Sequence, residues 1–108
     1  MQHWLFLAGA IAFEVAGTIS MKLSEGFSKL IPSILVAVFY LISLAALTIA
    51  LKKIDVSLAY AIWAGVGTAL IAIVGVLYFK EPATMIKVIS IALIIAGVVG
   101  LNLSGAKQ

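Results

Sequence analysis

The sequence contains no cysteine, no arginine and only four acidic residues among its 108 positions. The missing cysteine excludes disulfides and leaves no trace of redox compartment. The net charge of +3 rests on lysine alone. Those lysines are scattered one or two per polar stretch, so the clustered basic patch of a nucleic-acid-binding domain is missing. Charged residues make up 10% of the chain, where a soluble domain carries about 25%. A chain this short has a high surface-to-volume ratio and needs a charged shell to face water. With 65% hydrophobic residues in place of that shell, most of its surface faces hydrocarbon.

What the sequence does have is four apolar runs, at about 4–21, 31–51, 56–79 and 86–105. Polar breaks separate them: Lys22 to Lys29, then Lys52-Lys53-Ile54-Asp55, then Lys80-Glu81-Pro82. A membrane-spanning helix needs roughly 20 apolar residues, and each run meets that length. Pro32 falls near the start of the second run, where a first helical turn tolerates proline. Spanning strands would alternate apolar and polar residues. These runs are apolar on both parities, which selects helices. The fold expected is an all-α integral membrane protein, with residues 1–108 forming one four-helix transmembrane domain. The first run lacks a basic leader and carries a glutamate, so it reads as a helix of the mature protein rather than a signal peptide.

That glutamate, Glu14, is the only charged residue away from the ends of the four runs. About ten residues into the helix, at roughly 1.5 Å per residue, it lies near the bilayer midplane. An ionisable group there is expensive and must face protein or water. It could serve structure alone, as a protonated hydrogen-bonding group. A serine, threonine or glutamine would do that at less expense, and intramembrane acids mark ion or substrate pathways. Burial makes a carboxyl hold its proton more tightly than water does. One such group can hold a proton or a cation in turn, and so exchange one for the other.

Residues three or four apart share a helix face. Beside Glu14 this places Ala10, Gly17 and Thr18, which are small and leave room at the carboxylate; close helix packing explains small residues equally well. In the third run Tyr60 and Trp63 share a face, and aromatic rings attract organic cations; an interfacial aromatic belt is the other reading, mainly for Tyr60. Gly65 and Gly67 weaken the same helix and suit a hinge. Tyr40 and Ser43 form an aromatic and polar pair in the second run. The fourth run carries Ala92, Ala96, Gly97 and Gly100, a small-residue stripe suited to helix pairing between chains.

One chain has few walls for a cation pathway, and most homo-oligomers are twofold dimers. Cytoplasmic loops are enriched in lysine and arginine. Here Lys22, Lys29, Lys80 and Lys87 fall on one side, and Lys52, Lys53 and Lys107 on the other. So small a bias permits insertion both ways, and with it an antiparallel homodimer built like an inverted repeat.

Along nearly its whole length the chain resembles the small multidrug resistance transporters. The match rests on Ala12-Phe13-Glu14-Val15-Ala16-Gly17-Thr18, on Met21-Lys22-Leu23-Ser24-Glu25-Gly26-Phe27, and on Ala59-Tyr60-Ala61-Ile62-Trp63-Ala64-Gly65-Val66-Gly67. The resemblance implies proton-coupled export of cationic compounds across a bacterial inner membrane by an antiparallel dimer, without a metal or other cofactor. It implies that Glu14 binds proton and substrate in turn, that Tyr40, Ser43, Tyr60 and Trp63 line the binding site, and that Gly97 serves dimerisation. Gly17-Thr18 resembles the branch exporting quaternary ammonium and lipophilic cations; the guanidinium branch has Trp-Ala there. Leu44 and Ser90 depart from some multidrug members. The alternatives are a guanidinium or polyamine exporter of the same family and a non-transporting membrane subunit. No nucleophile–base pair occurs in the runs, and His3 sits at the terminus, which argues against an enzyme.

Overall fold

The computed structural model describes residues 2–105. Lys107, used in the charge balance, lies outside the described residues. Four helices follow in order: α1 Gln2–Leu23, α2 Leu30–Ala50, α3 Val56–Leu77 and α4 Met85–Gly105. All four are long and apolar enough to cross a membrane. The chain divides into two compact units after Ile54, and each is a helical hairpin: α1 packs on α2, and α3 packs on α4.

In the first hairpin the facing stripes alternate small and branched apolar residues. α1 buries Leu7, Ala10, Ile11, Val15, Gly17 and Ser20, and α2 buries Val36, Ser43 and Ala50, every seventh position. Seven residues are close to two helical turns, so this stripe stays on one face. Lipid tails are as apolar as leucine, so helices associate in a membrane by close packing and hydrogen bonding. Ser43 supplies such a bond: its Oγ donates to the Ala10 carbonyl at 2.6 Å, in full burial.

Hydroxyls elsewhere on these apolar helices turn back on their own backbone. Ser20 donates to the Ala16 carbonyl at 2.9 Å, Ser33 to Lys29 at 2.6 Å and Thr48 to Leu44 at 2.7 Å. This satisfies them where no water is available. The α1–α2 turn is organised by the buried Ser24. Its Oγ donates to the Met21 carbonyl at 2.7 Å and accepts from the Phe27 N–H at 3.0 Å. Glu25, Gly26 and Phe27 all have positive φ, at 49°, 75° and 66°. Only glycine adopts that region without a steric penalty, so the turn holds two strained residues.

The third run was expected to continue to Phe79, but α3 ends at Leu77. Lys80 enters the left-handed region at φ 61°, and the chain doubles back so that the Glu81 N–H donates to the Gly75 carbonyl at 2.9 Å. The Glu81 carboxylate then occupies the space a side chain on Gly75 would need. α4 begins with a side-chain cap, the Lys87 N–H donating to Thr84 Oγ1 at 3.1 Å. Within the α3–α4 hairpin, Gly65 admits the Val98 side chain: a Cβ there would lie 2.5 Å from Val98 Cγ2. α3 runs unbroken through Gly65 and Gly67, both buried.

Candidate functional site

The carboxylate expected at membrane depth is half-buried on α1. One turn further on, the Thr18 hydroxyl donates to Glu14 Oε1 at 2.9 Å. The same Thr18 oxygen is 2.7 Å from the hydroxyl of Tyr40, on α2. Glu14, Thr18 and Tyr40 thus form a continuous hydrogen-bonded chain across the two helices. Tyr40 reaches Thr18 because Gly17 leaves its ring room. A Cβ at Gly17 would sit 2.6 Å from both Cδ1 and Cε1 of that ring, far inside van der Waals contact. Gly17 is therefore fully enclosed against α2, and its neighbour Thr18 stays half-buried beside Glu14. Phe13 and Phe39 pack in a tilted contact, ring centroids 5.9 Å apart, on the same pair of helices.

The sequence-based pocket thus divides. Glu14, Gly17, Thr18 and Tyr40 meet in the first hairpin. Ala10 and Ser43 also lie there, but both are fully buried and their polar groups face each other. Ser43 gives its hydroxyl proton to the backbone of α1, and the pair joins the helices. Tyr60 and Trp63 meet in the second hairpin, in an edge-to-face contact with centroids 6.1 Å apart and planes at 88°. Tyr60 is two-thirds exposed (66%) and Trp63 half-buried, so the pair presents an aromatic surface. Ala92, Ala96, Gly97 and Gly100 are exposed on α4. A methyl group added at Gly97 or Gly100 would meet nothing within 4 Å.

Outside the spans, the Lys29 ammonium bonds the Glu25 carboxylate at 2.7 Å. That hydrogen bond, then the charge of Lys29, holds the Glu25 carboxyl below its ordinary range. Lys87 pairs with Glu81 at 3.4 Å. No cluster of three His, Cys, Asp or Glu side chains fit to hold a metal occurs among the described residues.

Two residues were missed by sequence reasoning. Ser24 was read as part of a polar break and of the family motif, not as a turn former, although a serine just before Glu25-Gly26 at a helix end is a turn signal. Gly75 carried no expectation at all; its partner Glu81 is close in sequence, but only the left-handed turn at Lys80 brings the carboxylate back over it.

Four helices long and apolar enough to cross a membrane define a multi-pass membrane protein, and the first of them carries a half-buried carboxylate. A family model described as "Small Multidrug Resistance protein" matches residues 2–94, and the chain belongs to that family. It is 63% identical to the uncharacterized membrane protein YvaE of Bacillus subtilis (strain 168) over 101 residues, 94% of this chain and 85% of the relative. It is 50% identical to the multidrug resistance protein EbrB of the same organism over 106 residues, 98% of this chain and 91% of the relative. It is also 42% identical to the guanidinium exporter of Salmonella typhimurium over 101 residues, 94% of this chain and 96% of the relative. The protein is a multi-pass bacterial membrane protein of a transporter family that exports cationic compounds.

Proposed function

We propose that the protein is a proton-coupled antiporter that exports lipophilic and quaternary ammonium cations, with Glu14 binding proton and substrate in turn. The observation that carries this is Glu14 itself, the one acidic residue within a span, half-buried and hydrogen-bonded at Oε1 by Thr18. Its carboxylate can take a proton or a cation, and the two compete. The exposed Tyr60–Trp63 pair supports an organic rather than a hydrated inorganic cation, because aromatic faces bind desolvated organic cations. EbrB, a multidrug resistance protein by name, supports the same substrate class.

The working unit in this reading is an antiparallel homodimer. The exposed small-residue face of α4 at Ala92, Ala96, Gly97 and Gly100 is its helix-pairing surface. Gly65 and Gly67 are the positions where α3 bends as access alternates. A second reading, guanidinium export, draws on the likeness to the Salmonella exporter. Gly17-Thr18 beside the carboxylate favours the first.

The test is transport in proteoliposomes under an inward proton gradient, with tetraphenylphosphonium and guanidinium offered separately. Proton-driven export of tetraphenylphosphonium that disappears in Glu14→Gln is expected. Transport of guanidinium alone would select the second reading, and proton-driven transport by Glu14→Gln would refute the coupling role.

A further inference from the structure

Thr18 has one hydroxyl proton, and the structure shows where it goes. A carboxylate only accepts, so the 2.9 Å contact to Glu14 Oε1 takes Thr18's proton. The 2.7 Å contact between Thr18 and Tyr40 must then be donated by the tyrosine. The chain has one direction while Glu14 is ionised: Tyr40 to Thr18 to Glu14. We propose that Tyr40 is a positioning residue for the proton site, acting on Glu14 through Thr18, and that Gly17 exists as glycine to let the Tyr40 ring reach Thr18. This rests on the reading of Glu14 as the group that exchanges proton for cation.

A hydrogen bond donated to a carboxylate favours the charged form over the neutral one, and bonds to an ionised acceptor are the strong ones. A donor behind Thr18 polarises its hydroxyl and strengthens that bond. It also takes up the Thr18 lone pair that would otherwise draw the hydroxyl into another orientation. Tyr40 thereby fixes the orientation in which Thr18 donates to Glu14. α2 is the helix packed on α1 in this hairpin, and Tyr40 is its only titratable residue; on α1 the other titratable groups, His3 and Lys22, lie near the two ends. No other titratable or charged residue of the hairpin's helices stands beside Glu14.

The tests are tetraphenylphosphonium binding against pH and, with no cation present, the carboxyl 13C shift of Glu14 against pH, both in lipid nanodiscs. Thr18→Val removes the donor and should move both midpoints up by roughly one pH unit, as expected for one hydrogen bond to a charged group. Tyr40→Phe keeps the ring and should move them the same way by a few tenths. Gly17→Ala, which pushes the ring off α1, should act like Tyr40→Phe. Thr18→Ser should restore the parent midpoint. The decisive variant is the double substitution Thr18→Val with Tyr40→Phe. If Tyr40 acts only through Thr18, the double variant titrates like Thr18→Val alone, a failure of additivity expected of partners in one network. A further shift from Tyr40→Phe in the Thr18→Val background overturns the proposal, as do midpoints that stay at the parent value while affinity falls equally at every pH. A parent whose cation binding ignores pH sinks the exchange reading instead, and the carbon-13 titration still decides the relay.

Discussion

The two hairpins of this protein are similar in length and apolarity but join their helices differently. α1 and α2 meet through hydrogen bonds as well as small residues: Ser43 bonds the Ala10 backbone, and Tyr40 reaches Thr18 and through it Glu14. α3 and α4 meet through apolar packing, with Gly65 seated against Val98 and Ile94. One-third of the apolar stretch of α1 is buried, and none of that of α4. The difference teaches where a membrane protein can keep chemistry. Inside hydrocarbon a polar group needs a fixed partner, so the hairpin with interhelical hydrogen bonds is the one able to hold an ionisable side chain. The hairpin without them leaves a small-residue face open for lipid or for another chain.

The sharpest way to break that comparison is Glu14→Gln. If coupling resides in the first hairpin, the amide cannot release a proton or balance a cation, and proton-driven transport should be lost outright. Residual proton-driven transport in liposomes would mean that the chemistry lies elsewhere. Next in size is the open face of α4. A Cβ at Gly97 meets nothing within 4 Å, so Gly97→Leu should leave the hairpin helical by circular dichroism while it dissociates or weakens the proposed dimer in cross-linking. A dimer that survives unchanged would show this face to be lipid-covered.

Trp63→Ala probes the aromatic pair. A desolvated cation–π contact is worth about 1–2 kcal/mol, so calorimetric affinity for tetraphenylphosphonium should fall by that amount. Unchanged affinity in a correctly assembled variant would make Trp63 a packing residue. Ser43→Ala removes one interhelical bond from the first hairpin. Such bonds in membranes average about 0.6 kcal/mol, so a modest drop in unfolding free energy is expected, with cation affinity nearly unchanged. A large loss of affinity would place Ser43 in the binding site as well.

The smallest effect belongs to the Glu25–Lys29 pair in the α1–α2 turn, which is exposed to solvent. The carboxyl of Glu25 is held low by Lys29. Its contribution to stability is therefore present above the ordinary carboxylate range and lost as pH falls through the lowered value. Lys29→Gln should abolish that small acid-side loss in a melting series and leave the neutral-pH melt almost where it was. An acid-side loss that persists undiminished would assign it to another group.

Some contacts among the candidate site residues were legible in the sequence. Glu14 stood out because a charge in the middle of an apolar run has few innocent explanations, and Thr18 and Gly17 followed from helical spacing. Tyr60 and Trp63, three apart, do touch. The role of Ser43 was not legible. A serine one turn from a tyrosine looks the same whether its hydroxyl faces a ligand or the backbone of the next helix, and only the packing of Ala10 against it decides. Gly75 was invisible because its partner is a side chain brought back by a turn whose left-handed residue is a lysine, not the expected glycine.

The sequence alone settled the number of membrane-length helices, their ends to within a turn, and the place of the lone carboxylate along the first of them. These follow from quantities that add along the chain: run length against bilayer thickness, and the expense of each charge at each depth. The tertiary structure decided which sides of the helices meet. In water a polar face and an apolar face announce that choice, but here lipid and protein interior are equally apolar, and hydropathy leaves the rotation of each helix open. Close contact resolved it, through a glycine that admits a tyrosine ring and a serine that bonds a backbone carbonyl, and those contacts placed Tyr40 behind Thr18 and Thr18 on Glu14.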